Sequence, residues 1–154
     1  MSRQISDSSI AARRRWMGIL AKSPRTALER AWDEIADKPA YRLLRAPEIG
    51  LAMVRGRIAG TGEPFNLGEL TMTRAAVQIT GPGGLGVTGY GHVAGRDPRH
   101  AELAALFDAM LQRGDGRVAA ALEDLAAELA AARAAKAAKV APSRVEFFTL
   151  VRGE

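Results

Sequence analysis

Arg55 to Arg74 reads R-G-R-I-A-G-T-G-E-P-F-N-L-G-E-L-T-M-T-R, and the reading of its middle decides the fold. Glycines and a proline stand between two segments in which residues alternate as in strands, so the stretch predicts strand, glycine-rich turn, strand. Gly60 and Gly62 flank Thr61, and glycine's access to positive φ lets such a turn close tightly and bring N–H groups near an anion. Nucleotide-binding glycine loops need a helix N-terminus after the loop, whose amides meet the phosphate. Here a strand follows, so neither a dinucleotide fingerprint nor a Walker loop is present, and most G-x-G turns between strands are plain hairpin connections.

Outward from the turn, Tyr41–Ala46 and Gly50–Ile58 are predicted strands interrupted by Pro47. Phe65–Leu70 and Met72–Thr80 follow, the latter with Ala75, Val77 and Ile79 on one face and Arg74, Ala76 and Gln78 on the other. Gly81 to Gly84 is a turn by composition, and Leu85–Val93 a weaker, glycine-diluted strand. Connections this short exclude parallel crossovers, so the segments predict an antiparallel meander.

Helices flank that sheet. Ile10–Ala21 carries Trp16, Met17, Ile19 and Leu20 behind an arginine triplet that faces either a partner or water. Ser23-Pro24 reads as N-cap and first helical residue of a helix that buries Leu28, Ala31, Trp32 and Ile35. Asp97-Pro98 opens a third, with Leu103, Leu106, Phe107, Met110 and Leu111 along one side. Val118–Lys139 is a fourth, whose A-A-R-A-A-K-A-A-K end has helix propensity and little to bury. Ser143–Arg152 then reads as a strand apolar on both faces. The fold class is α+β: one domain over residues 1–154, with N-terminal helices (about 10–38), a sheet (about 41–93), helices (about 98–139) and a C-terminal strand (about 144–152).

Composition narrows the function. The chain has 154 residues, 47% apolar, and a net charge of +5, which fits an anionic or acidic partner. Without cysteine there is no disulfide or thiol catalysis, and two histidines make a zinc site built from this chain alone improbable. No apolar run approaches the ~20 residues of a membrane span, and the N-terminus lacks a secretory core, so the expectation is a cytoplasmic protein.

Four blocks, in order, carry a family resemblance: R-R-W-M-G-I-L-A (Arg14–Ala21), G-T-G-E-P-F-N-L-G-E-L-T-M-T-R-A-A-V (Gly60–Val77), G-R-D-P-R-H-A-E (Gly95–Glu102) and S-R-V-E-F-F-T-L-V-R-G (Ser143–Gly153). Together they span nearly the whole chain, which resembles the G subunit of the bacterial carbon-phosphorus lyase core complex. It departs from that pattern over Gly81–Gly91 and in the alanine-lysine end of the long helix. The resemblance implies an accessory subunit working with H, I and J subunits in organophosphonate catabolism. The complex, with the I subunit taken as catalytic, displaces adenine from ATP with an alkylphosphonate to give a ribose 1-alkylphosphonate 5-triphosphate. The later iron-sulfur and S-adenosylmethionine cleavage belongs to the J subunit, and a chain without cysteine has no thiolates for a cluster.

The residue reading beside it finds no catalytic set, no metal ligands and no cofactor on this chain. Candidates for binding a partner or phosphate are Arg57, Gly60, Thr61, Gly62, Arg74, Arg96 and His100; the arginines equally well pair with Glu48, Glu63, Glu69 and Asp97 of the same chain. His100, in a first helical turn beside Asp97, suits local packing better than acid-base work. Val145, Phe147, Phe148 and Leu150 are candidates for an interface, because a strand apolar on both faces needs cover on both. The alternative function is a small basic nucleic-acid-binding protein, disfavoured by 5% aromatic residues and no basic stripe interleaved with rings.

Overall fold

The elements run α1 (Asp7–Lys22), α2 (Arg25–Glu34), β1 (Tyr41–Arg57), β2 (Pro64–Thr80), β3 (Gly86–Ala94), α3 (Pro98–Gln112) and α4 (Gly116–Val140) in the computed structural model, which describes residues 7–80 and 86–143. The strands form one antiparallel sheet in the order β1-β2-β3, the expected meander, in an α+β fold. The C-terminal strand expected over 144–152, with Val145, Phe147, Phe148 and Leu150, lies outside the described residues.

α3 is the centre of the packing. Asp97 caps it by accepting the His100 amide at 3.0 Å, with Pro98 at its first position, as the sequence predicts. The expectation of a helix packed on one side is corrected: from His100 to Met110 every residue but Glu102 is buried. One side lies on Ala75, Val77, Ile79 and Val93 of the sheet, and the other is covered by Leu20, Leu28, Trp32, Val118, Leu122 and Leu125 of the remaining helices. Trp32 meets Phe107 edge to face, ring centres 6.2 Å apart. The alanines at 101, 104, 105 and 109, neutral in a periodicity count, let neighbours approach closely on several sides.

That approach explains the glycines of β3. A Cβ added to Gly89 would collide with the carbonyl oxygen of Ala105, and one on Gly91 with that of Ala101. What looked like dilution of a strand is the surface on which α3 rests.

Asp108 is fully buried and ties three elements together. Arg13 donates to it from Nε at 3.1 Å and Nη2 at 2.7 Å, Trp16 from Nε1 at 2.8 Å, Gln112 at 3.1 Å and the Tyr90 amide at 2.9 Å. A carboxylate taken out of water is tolerated only with such a full set of donors. Of the arginine triplet, Arg13 thus serves the core, Arg15 pairs with Glu123 of α4, and Arg14 is exposed.

Two boundaries differ from expectation. Pro47 does not break the strand; β1 passes through it with register shifts at Leu43/Arg45 and Arg45/Glu48. β1 is an edge strand, and a proline at an irregular point of an edge costs no ladder hydrogen bond that the sheet needs. Likewise Phe65–Leu70 and Met72–Thr80 are one strand. At α2 the cap is shifted by one: Pro24 holds the N-cap position, and the Ser23 hydroxyl donates back to the Ile19 carbonyl at 2.9 Å, closing α1 instead.

Candidate functional site

β3 ends opposite Met72, so toward the turn the sheet continues as β1 and β2 alone, Leu51–Arg57 against Pro64–Thr71. This two-stranded arm is about 25 Å long at ~3.3 Å per residue. Its root is fixed at Thr73, whose hydroxyl donates to the Gly95 carbonyl at 2.7 Å and accepts the Asp97 amide at 3.0 Å.

At the tip, Ile58–Gly60 forms one 3-10 turn with Gly60 at φ 81 and Ala59 at φ 50. The amides of Gly62 and Thr61 both donate to the Ile58 carbonyl, at 2.8 and 3.3 Å, and Arg57 Nη1 donates to the Gly62 carbonyl at 3.0 Å. The amides of Thr61 and Gly62 and one N–H of Arg57 are therefore spent on holding the shape of the tip. A side chain on Gly62 would crowd the Ile58 carbonyl, at 2.9 Å from the added Cβ, so glycine here serves the turn.

The other candidate residues do not gather around that tip. Arg74 pairs through Nε with Glu48, its cross-strand neighbour, and Arg45 reaches the same carboxylate at 2.6 Å. Arg45 first and Arg74 second hold the Glu48 carboxyl below its usual range. From Glu48 to Arg57 is about 30 Å of extended chain, so Arg57 and Arg74 form no common anion site. Arg96 is exposed in the turn between β3 and α3. His100 is buried, with ring Nε2 2.8 Å from the Leu20 carbonyl, a contact that makes Nε2 the donor and ties α3 to α1. Among the described residues no cluster of three or more histidine, aspartate or glutamate side chains is placed to hold a metal ion.

The arm itself is the feature that sequence reasoning passed over. Cross-strand neighbours point to one face of a sheet, and Ile49 pairs with Thr73, Leu51 with Thr71 and Met53 with Glu69. These apolar residues are therefore on the helix side of the sheet but beyond the helices. Ile49, Leu51 and Met53 are 49%, 65% and 53% exposed, and Ile58, Phe65, Leu67 and Leu70 are exposed as well. Exposed apolar residues thus occur on both faces of the arm, and contiguous exposed apolar surface is a common mark of interaction sites. The signal was available: Ile49-Gly50-Leu51-Ala52-Met53-Val54 is apolar on both faces in the same way as the segment from Val145. No helix among the described residues is long and apolar enough to cross a membrane.

Comparison with known proteins agrees with a subunit's surface. The family described as phosphonate metabolism protein PhnG matches residues 11–153. A Rhizobium meliloti (strain 1021) protein named alpha-D-ribose 1-methylphosphonate 5-triphosphate synthase subunit PhnG is 47% identical over 150 residues, 96% of this chain and 94% of that one. The match takes in the buried hub, the arm and the long helix together, and the chain belongs to the phosphonate metabolism protein PhnG family.

Proposed function

We propose that this chain is an accessory subunit of an alpha-D-ribose 1-alkylphosphonate 5-triphosphate synthase, with H, I and J subunits as its partners in the cytoplasm. ATP and the alkylphosphonate are substrates of the assembly, which exchanges adenine for the phosphonate at the ribose. No catalytic residue, metal or cofactor is assigned to this chain. The observation that carries the reading is the 47% identity, across nearly the full length of both chains, to a protein named as a subunit of that synthase. The geometry supports it in kind, because among the described residues the arm exposes apolar side chains suited to another polypeptide, while His100 and Asp108 are consumed by packing.

Reconstitution tests this. Adenine release from ATP and methylphosphonate is expected only when this chain is present together with the other subunits. Release by the isolated chain, or undiminished release by an assembly purified without it, would refute the accessory role.

A further inference from the structure

The arm and the second half of α4 leave the molecule at the same end. α2 and α3 start together, Arg25 lying 3.8 Å from Asp97, and run in parallel to the Trp32–Phe107 contact. α4 runs the opposite way: Arg117 reaches the Ala36 carbonyl at 2.6 Å, whereas Glu128 lies beside Arg30. Past Glu128, α4 continues to Val140 for about 18 Å, while only about 8 Å of α2 remains before Arg25. The α4 tail thus overhangs the end of the helix layer at which α3 begins, and the arm projects from the sheet layer at that same end.

The two projections differ in chemistry. The helix-side face carries Leu51 and Met53 on the arm and Ile49 at its root. The tail is exposed throughout and carries Arg133, Lys136 and Lys139, three residues apart and therefore within an arc of about 120°. No described carboxylate pairs with these three, whereas Arg15 and Arg30 are matched by Glu123 and Glu128 in the packed half of the same helix. Among the described residues, Arg133, Lys136 and Lys139 of this alanine-rich tail have no carboxylate to offset their charge.

We infer that the arm and the α4 tail grip one other subunit of the synthase between them, on a surface that offers an apolar strip to Ile49, Leu51 and Met53 and carboxylates to Arg133, Lys136 and Lys139. The inference rests on the subunit reading above and adds to it the surface used and the partner's chemistry. Charge complementarity selects a partner with acidic residues over a second copy of this chain, whose own tail and net charge are basic.

The experiment is quantitative assembly of the full complex from co-expressed subunits, at two salt concentrations, for three variants. Leu51→Asp with Met53→Asp is expected to weaken incorporation by at least about 30-fold, as for buried anchors of an interface. Arg133→Glu with Lys136→Glu and Lys139→Glu is expected to slow incorporation and to flatten its salt dependence. Arg14→Glu, a control on an exposed side chain, should behave as the unaltered chain. The altered positions are exposed, so thermal unfolding of each isolated chain should move little; if the arm variant fails to fold, hydrogen exchange of the unaltered complex decides, with amides of Ile49 to Arg57 expected to gain protection. Equal incorporation of the arm variant, or no protection of those amides, overturns the inference while leaving the subunit reading intact. So do a homodimer broken by the arm substitutions and a gel shift of duplex DNA abolished by the tail substitutions without effect on assembly. Binding of an apolar dye to the isolated chain that rises only when residues 144–154 are deleted also overturns it, since the chain's own segment would then be the occupant. Failure of the unaltered chain to assemble at all refutes the subunit reading itself.

Discussion

Gly91→Ala is the sharpest test of how the fold is built. One methyl group is added, and the atom it meets is the backbone carbonyl oxygen of Ala101, with the Ala101 carbonyl carbon and the Ala105 amide each 2.9 Å away. No side chain can swing aside, so α3 must lift from β3, and the whole buried run from Ala101 to Met110 lifts with it. Overpacking of a core costs about 1–3 kcal/mol; with only backbone to yield, the upper end applies, about 3 kcal/mol. For a chain of this size that is a fall in Tm of roughly 6–12 °C. Gly89→Ala, facing the Ala105 carbonyl, should behave alike. Gly18→Ala is the control: it sits inside α1 with nothing within 4 Å of the added atom, so it should stabilise by up to about 1 kcal/mol through helix propensity. Thermal unfolding followed by circular dichroism reads all three. A Gly91→Ala protein that melts with the unaltered chain, or a Gly18→Ala protein that melts as early as Gly91→Ala, would refute the close-approach reasoning.

Asp108→Ala should cost about 3–5 kcal/mol in chemical denaturation, because it strands the Trp16 indole N–H, the Tyr90 amide and the Arg13 guanidinium in or near the core; a loss below about 1 kcal/mol would show the hub to be dispensable. Asp115 caps α4, accepts the Arg117 amide at 3.1 Å and pairs with its guanidinium at 2.9 Å, and Arg117 holds its carboxyl below the usual range. A depressed folded pKa gives stability that is present above the unfolded value of about 4 and is lost as pH falls through the folded one. Asp115→Asn, still able to cap, should therefore show a shallower fall of Tm below about pH 4 than the unaltered chain, and parallel curves would discount the pair. Arg74→Ala removes an exposed pair with Glu48, so it should move Tm by no more than the equivalent of about 1 kcal/mol in a melting experiment.

Local chemistry made part of this fold legible. Asp97-Pro98 fixes the start of α3 whatever surrounds it, and Val118, Leu122 and Leu125 mark the buried stripe of α4 because their neighbours are polar or alanine. The meander follows from turns too short for anything else. What escaped depends on distant residues. Asp108 interrupts the apolar run of α3, and only its partners Arg13 and Trp16, more than 90 positions away, turn that interruption into a buried hub. Gly89 and Gly91 weaken a strand in isolation and become contact surface only with α3 above them. Pro47 ends a strand in general, yet not at an irregular point of an edge. The candidate arginines were grouped by sequence proximity, whereas the hairpin sends Arg57 to the tip and leaves Arg74 across from Glu48.

The two edges of the sheet are finished differently, and that difference links fold to function. A bare edge invites pairing with another chain. On β3 the exposed groups are met by α3: Gln112 donates to the Thr88 carbonyl at 2.8 Å, and the Tyr90 amide donates to Asp108. On β1, among the described residues, no side chain caps the main chain from Ile49 to Val54, and its register there is regular and its side chains apolar. Nor does the arm bring its own stability, since a two-stranded ribbon is marginal in water without a third strand or a covering helix. The chain thus seals one edge with a buried carboxylate held by Arg13, Trp16 and Gln112 and, among the described residues, leaves the other long and apolar, its root held at Thr73. Among the described residues nothing covers the β1 side, and a second polypeptide seated there, as proposed above, would make the structure of the arm belong as much to the assembly as to the chain.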